Sequence, residues 1–160
     1  MFFKKKLSVE DYCIPNLTTL FSSERETAWE ALRRASNDSQ LIAVEAQLYN
    51  NHLRAVYIQL MLIAVAKNCS MDASSDGHVF VMMYLKERNL SEIDEISKGY
   101  NRAFASSGTD GVRQMVLHFA DRLTAGKMQA DTIEQFYAEF YGILRIFFDD
   151  FKRFKLVPLR

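Results

Sequence analysis

Glu45, His52 and Gln59 stand seven residues apart, a spacing that gathers three polar groups into one place. On a helix this interval is nearly two full turns, so the three stack within about 40° of one another. A carboxylate, an imidazole and an amide in a column can hold a ligand by hydrogen bonds, and the imidazole titrates near neutral pH. The same side carries Leu41, Leu48, Val56 and Ile63, whereas Gln47, Asn50, Asn51 and Arg54 take the opposite side. The column is therefore expected to face inward, where polar groups cost free energy unless hydrogen-bonded. Two outcomes follow. The column is either a structural seam satisfied by Arg, Tyr or backbone from neighbouring helices, or the wall of a small-ligand pocket. A pocket demands a solvent-open cavity beside these side chains, with polar groups converging from other helices.

A metal is not expected there. Seven helical residues rise about 10.5 Å, and ligand bonds of about 2.0–2.2 Å cannot bring Glu45 and His52 to one ion unaided. None of the three histidines has Glu three positions earlier, so the Glu-x-x-His pair of di-iron bundles is missing. No cofactor is expected either. His118, beside Gln114, Asp121 and Arg122, lies about 120° from the centre of its apolar stripe and reads as a solvated flank. His78 follows Gly77 at an expected loop-to-helix junction. The pairs Ser22-Ser23, Ser74-Ser75 and Ser106-Ser107 fall in breaks or caps, outside any GxSxG context. Gly108-Thr109-Asp110-Gly111 lacks the GK[ST] ending of a phosphate loop. Cys13 and Cys69 belong to no CxxC or Cys/His group and read as reduced thiols of a cytoplasmic protein.

The second constellation is aromatic. Ile133, Phe136, Tyr137, Phe140, Tyr141, Leu144, Phe147, Phe148, Phe151 and Phe154 share one broad helical arc. Glu134, Gln135, Glu139, Arg145, Asp149 and Arg153 lie outside it. Most of the arc is expected to be ordinary core. Phe147, Phe148, Phe151 and Phe154 are expected to overhang it and meet a second subunit or another protein. With no catalytic set in view, the function expected is non-enzymatic association, as a homodimer through the last helix. The alternative is a ligand-binding or enzymatic bundle with a polar pocket around Glu45, His52 and Gln59.

The elements that position these groups follow from composition and period. The 160 residues suit one domain spanning 1–160, and 49% hydrophobic with 25% charged residues suits a globular core. Two prolines and six glycines permit long helices. Lys plus Arg equal Asp plus Glu at 20 each, so no basic excess points to nucleic acid. The longest apolar runs, Leu60–Ala66 and Val79–Leu85, hold seven residues each, and a membrane-spanning helix needs about 20. Phe2-Phe3 before Lys4-Lys5-Lys6 lacks the order of a secretory signal and offers at most weak peripheral contact with an anionic membrane. Residues 1–7 are expected to be a frayed terminus.

Periodicity then predicts an all-α, single-domain bundle of five or six helices, with a long central helix and an aromatic-rich C-terminal one. Ser8 and Pro15 mark short opening turns, and Ser23 with Glu26 has capping-box spacing for a helix to about Ala35. Asn37-Asp38-Ser39 breaks the chain before one helix from Gln40 to about Asn68, apolar nearly all round after Leu53. Ser70–Gly77 reads as a loop and Val79–Leu85 as a buried helix. Ser91 opens a helix ended by Ser106–Gly108, Asp110 opens another stopped by Gly126, and Asp131 caps the last, reaching about Phe154.

Overall fold

The structure is a computed structural model describing residues 3–106 and 110–159. The expectations for Phe2 as a membrane-seeking ring, for Ser107 and Gly108 as a helix stop, and for Gly108-Thr109 in a phosphate loop lie outside the described residues. Eight helices and one two-stranded sheet occur among the described residues, in the order β1 (Lys5–Ser8), α1 (Val9–Leu20), α2 (Ser23–Ala35), α3 (Ser39–Ile42), α4 (Ala46–Asn68), α5 (Met71–Glu87), α6 (Ser91–Ser106), α7 (Gly111–Thr124), α8 (Ala130–Arg153) and β2 (Phe154–Val157). The chain is mostly helical, with more helices than the five or six that periodicity alone suggests. No described helix is long and apolar enough to cross a membrane.

Everything is arranged around α4. From Leu53 to Val65 every residue but Arg54 is buried, which matches the all-round apolar character of that segment. It lies against α6 and α8 most extensively, then α5, with α7 and α1 completing the surround. On one side Phe119 of α7 meets Phe136 and Phe140 of α8, with ring centroids 4.8 and 5.4 Å apart. Such tilted and edge-on pairs are the favoured ring geometries.

The expected single helix from Gln40 to Asn68 is broken in two, because other helices hold its backbone open. Arg33 of α2 donates from Nη1 to the Val44 carbonyl at 2.8 Å, and the Tyr49 hydroxyl donates to the Trp29 carbonyl at 2.8 Å. Glu45 between them is extended, with ψ 133°. Asp38 starts the short α3 by accepting from the Gln40 and Leu41 amides, and its second oxygen accepts from the Gln129 amide at 2.8 Å. One buried carboxylate thus caps a helix and ties it to the α7–α8 connection.

Other boundaries moved for physical reasons. Ser70–Gly77 is not a loop: Ser70 caps α5 by accepting from the Ala73 amide, and Ala73 and Gly77 are buried. A Cβ at Gly77 would sit 3.7–3.8 Å from Leu62, Val65 and Val9, so the small residues there serve close helix packing rather than chain irregularity. Ser22, not Ser23, caps α2, and Glu26 pairs instead with Arg54 of α4. Gly126 does follow the end of α7, where Ala125 turns left-handed at φ 50°.

The expected fraying of residues 1–7 is overturned for Lys5–Leu7. These residues form β1, paired in parallel with β2 in the register Lys5↔Phe154 to Ser8↔Val157. Leu156 is buried, so the pair closes over apolar surface rather than hanging in solvent. The last helix accordingly ends at Arg153, and Phe154 opens a strand. Lys4 adds a hydrogen bond to the Phe151 carbonyl at 2.6 Å.

Because Asp38 joins a cap to a long-range tie, Asp38→Ala is expected to lower stability by about 2–4 kcal/mol in urea unfolding. Asp38→Asn, which keeps one acceptor, should lose clearly less. An unchanged midpoint for Asp38→Ala would show that solvent replaces this carboxylate without cost.

Candidate functional site

Of the polar column, the structure keeps two members in the interior and separates the third. Glu45 is exposed at the N-cap of α4 and makes no capping bond, because the chain break takes it off the helix face. His52 and Gln59 are 7% and 4% exposed on α4. Both face α6, which answers them with two buried residues three positions apart, Ser97 and Tyr100. The Gln59 amide donates to the Ser97 hydroxyl at 3.0 Å, and His52 Nδ1 lies 2.7 Å from the Tyr100 hydroxyl. The seam between α4 and α6 is thus hydrogen-bonded at both rungs.

The tautomer of His52 follows from supply and demand. Tyr100 is fully enclosed, and burial raises its pKa far above the ordinary tyrosine value, so its hydroxyl keeps a proton. Nδ1 is the acceptor within reach, which assigns the ring proton of neutral His52 to Nε2. Neutrality is enforced by the surroundings. Burial first, then the nearby His118 and Arg122, push the His52 pKa from 6.5 down to about 4.

The seam is not sealed. α6 has a cavity on each flank. The larger, about 280 Å³, is walled by His52, by Glu95, Ile96, Gly99 and Arg102 of α6, and by His118 and Arg122 of α7. His118 stands edge-on to Tyr100 with ring centroids 4.9 Å apart. Its pKa is held below the usual histidine value by burial and by Arg122 and Arg102, against the opposing pull of Asp121. Gly99 admits this ring: a Cβ there would meet His118 Nε2 at 3.0 Å. The other cavity, about 200 Å³, lies among α4, α5 and α6 and includes Gln59, His78, Asp94, Ser97 and Lys98. Gln59 Oε1 has no hydrogen-bond partner among the described residues. Lys98 is engaged by Asp94 and Glu95 on its own helix. No group of three or more His, Cys, Asp or Glu side chains among the described residues is placed to hold a metal ion.

His118 is thus a cavity wall rather than a solvated flank, and Arg102 and Arg122 join it there, with Tyr100 buried behind its ring, without a signal in the residue spacing. Tyr100 sits on the apolar stripe of α6 and reads from sequence as core; only its partner on α4 shows its polar use. His78 lies within α5, not at a junction.

The aromatic arc divides. Phe147 is buried edge-on against Tyr57 at 5.1 Å, and Phe151 is buried against Tyr12 at 5.3 Å. These two rings belong to the core because α1 and α4 reach them. Phe148 and Phe154 are half-buried. The apolar side chains that α8 leaves most open are Tyr141 and Ile146, at 54% and 65% exposed.

If His52 is held neutral by burial, acid should unfold the protein through it. The unfolded imidazole takes a proton near pH 6.5 and the folded one only near 4, so stability is full above 6.5 and drains away as pH falls towards 4. After allowance for solvent screening the loss is about 2 kcal/mol. Urea unfolding from pH 7.5 to 4.5 should show this slope, and His52→Gln should remove much of it. Identical slopes in both proteins would place the titration elsewhere. No protein-family model, no curated protein and no solved structure matches this chain.

Proposed function

We propose that this protein binds a small polar ligand in the cavity between α4, α6 and α7, without turning it over. The observation that carries the proposal is the placement of His52: buried, fixed by Tyr100, and lining a cavity that opens to solvent. Buried polar groups converging on a concave site are the ordinary mark of ligand recognition. Binding is favoured over turnover because the Tyr100 hydroxyl is fully buried and occupied in orienting His52. It positions a donor rather than reaching a substrate.

With the histidine rings labelled for NMR, a panel of small neutral, cationic and anionic compounds should include members that shift both His52 and His118. Gly99→Leu, which fills the cavity mouth, should silence those shifts while the helical circular-dichroism spectrum persists. A panel in which nothing moves either ring would end the proposal.

A second reading, self-association through α8, draws support from its outer face. Exposed Tyr141 lies one helical repeat from half-buried Phe148, and Tyr141, Leu144, Arg145 and Phe148 enclose a hollow of about 220 Å³. An apolar face of this kind suits a two-fold contact between copies. Light scattering should then give a mass above 18.5 kDa that Tyr141→Lys returns to the monomer value. A wild-type mass of 18.5 kDa at every concentration removes this reading.

A further inference from the structure

Which ligand the cavity takes follows from its charge and from Gly99, and the inference rests on the reading of that cavity as the binding site. The missing Cβ of Gly99 lets the His118 ring come close to α6. The point that a Cβ would occupy is 3.0 Å from His118 Nε2 and 4.0 Å from Arg102 Nη2. Two nitrogen-bearing groups from two helices therefore stand beside Gly99 on the cavity wall. Arg122 stands on the same wall, and His52 lines the floor.

The cavity wall itself carries two guanidiniums and one carboxylate, although the whole chain is neutral. Among the described residues neither Arg102 nor Arg122 enters an ion pair. The carboxylate on the cavity wall, Glu95, is bound by Lys98 at 2.6 Å. Asp121 is the acid that acts on His118, and both arginines oppose its effect. Both guanidiniums are exposed and outside any ion pair among the described residues, so an anion entering the cavity meets two open donors.

We infer that the cavity holds a tetrahedral oxyanion between His118, Arg102 and Arg122. A tetrahedral group suits donors that arrive from several directions, and guanidinium is the side chain best matched to it. The anion is either inorganic phosphate or the end group of a small phosphate ester. Its binding draws a proton onto the site. The groups facing His118 are Tyr100, Arg102 and Glu95 from α6, His52 from α4, and Arg122 and Asp121 on α7 itself. A dianion beside the ring reverses the repulsion from the arginines and raises its proton affinity. Affinity then rises as pH falls, by at most about tenfold per pH unit for one proton.

The test is calorimetry of the full chain with sodium sulfate, inorganic phosphate, glycerol 3-phosphate and glycerol, against sodium chloride at matched ionic strength. Sulfate stays a dianion from pH 6 to 8, so any pH slope belongs to the protein. Sulfate is expected to bind one to one, several-fold tighter at pH 6 than at pH 8. Arg122→Gln, an exposed change that spares folding, should weaken it about tenfold, and Gly99→Ala, whose Cβ presses on His118 Nε2, should weaken it as well. His118→Gln should weaken binding and flatten the slope. Tighter binding of glycerol 3-phosphate than of phosphate identifies an ester; the reverse identifies the free ion. The inference is overturned if sulfate does no more than chloride, or if Arg122→Gln and Gly99→Ala bind as wild type does. If neutral or cationic compounds shift His52 and His118 while sulfate does not, the ligand class is wrong and the cavity remains a binding site. If nothing shifts them, both fall together.

Discussion

The whole architecture depends on α4 being buried between Leu53 and Val65 at every residue but Arg54. A helix enclosed on all sides saves its backbone by internal hydrogen bonds, but it cannot leave a polar side chain to water. His52 and Gln59 must therefore be answered by a neighbour, and α6 is the neighbour that answers them. The two rungs fix how α6 lies along α4: its Ser97 and Tyr100 must meet partners seven residues apart on the other helix. What flanks α6, cavities included, is a by-product of that alignment. The apolar enclosure comes first and the polar geometry is its consequence.

Much of this arrangement was legible in residue spacing. The all-round apolar stretch of α4, the stripe of α7 and the wide arc of α8 all reflect burial in a core, which periodicity reports directly. The column His52–Gln59 was legible for the same reason, since both lie in an uninterrupted helix. Glu45 was not, because the chain breaks between Ala43 and Glu45 without Gly or Pro; the break is held by Arg33, Trp29 and Tyr49, which meet only after folding. Ser70–Gly77 misleads in the opposite direction. Small polar residues signal a loop locally, yet here they let α5 approach Leu62, Val65 and Val9 closely. Two four-residue strands at opposite ends of the chain carry no local pairing signal at all, since each needs the other to exist.

The candidate site shows a similar limit. A neutral total charge argues against large polyanions, and nothing in it foretells that Arg102 and Arg122 line one cavity, outside any ion pair among the described residues. Local charge is decided by which helices become neighbours. Likewise, α8 carries more rings than one helix face needs, but α1 and α4 decide which of them are enclosed. Phe147 and Phe151 found partners in Tyr57 and Tyr12, and the open positions fell to Tyr141 and Ile146.

The β1–β2 pair has a mechanical meaning. It joins residues 5–8 to residues 154–157, so nearly the entire chain is the loop that it closes. Loops of that length cost conformational entropy before any contact rewards them, which places the pair late in assembly, after the helices have met. Its strands run parallel. Tension applied to the outer ends of β1 and β2 would drag the strands past each other and load their hydrogen bonds together, rather than peeling them one at a time. The last piece to form would then be the first to bear a stretching force.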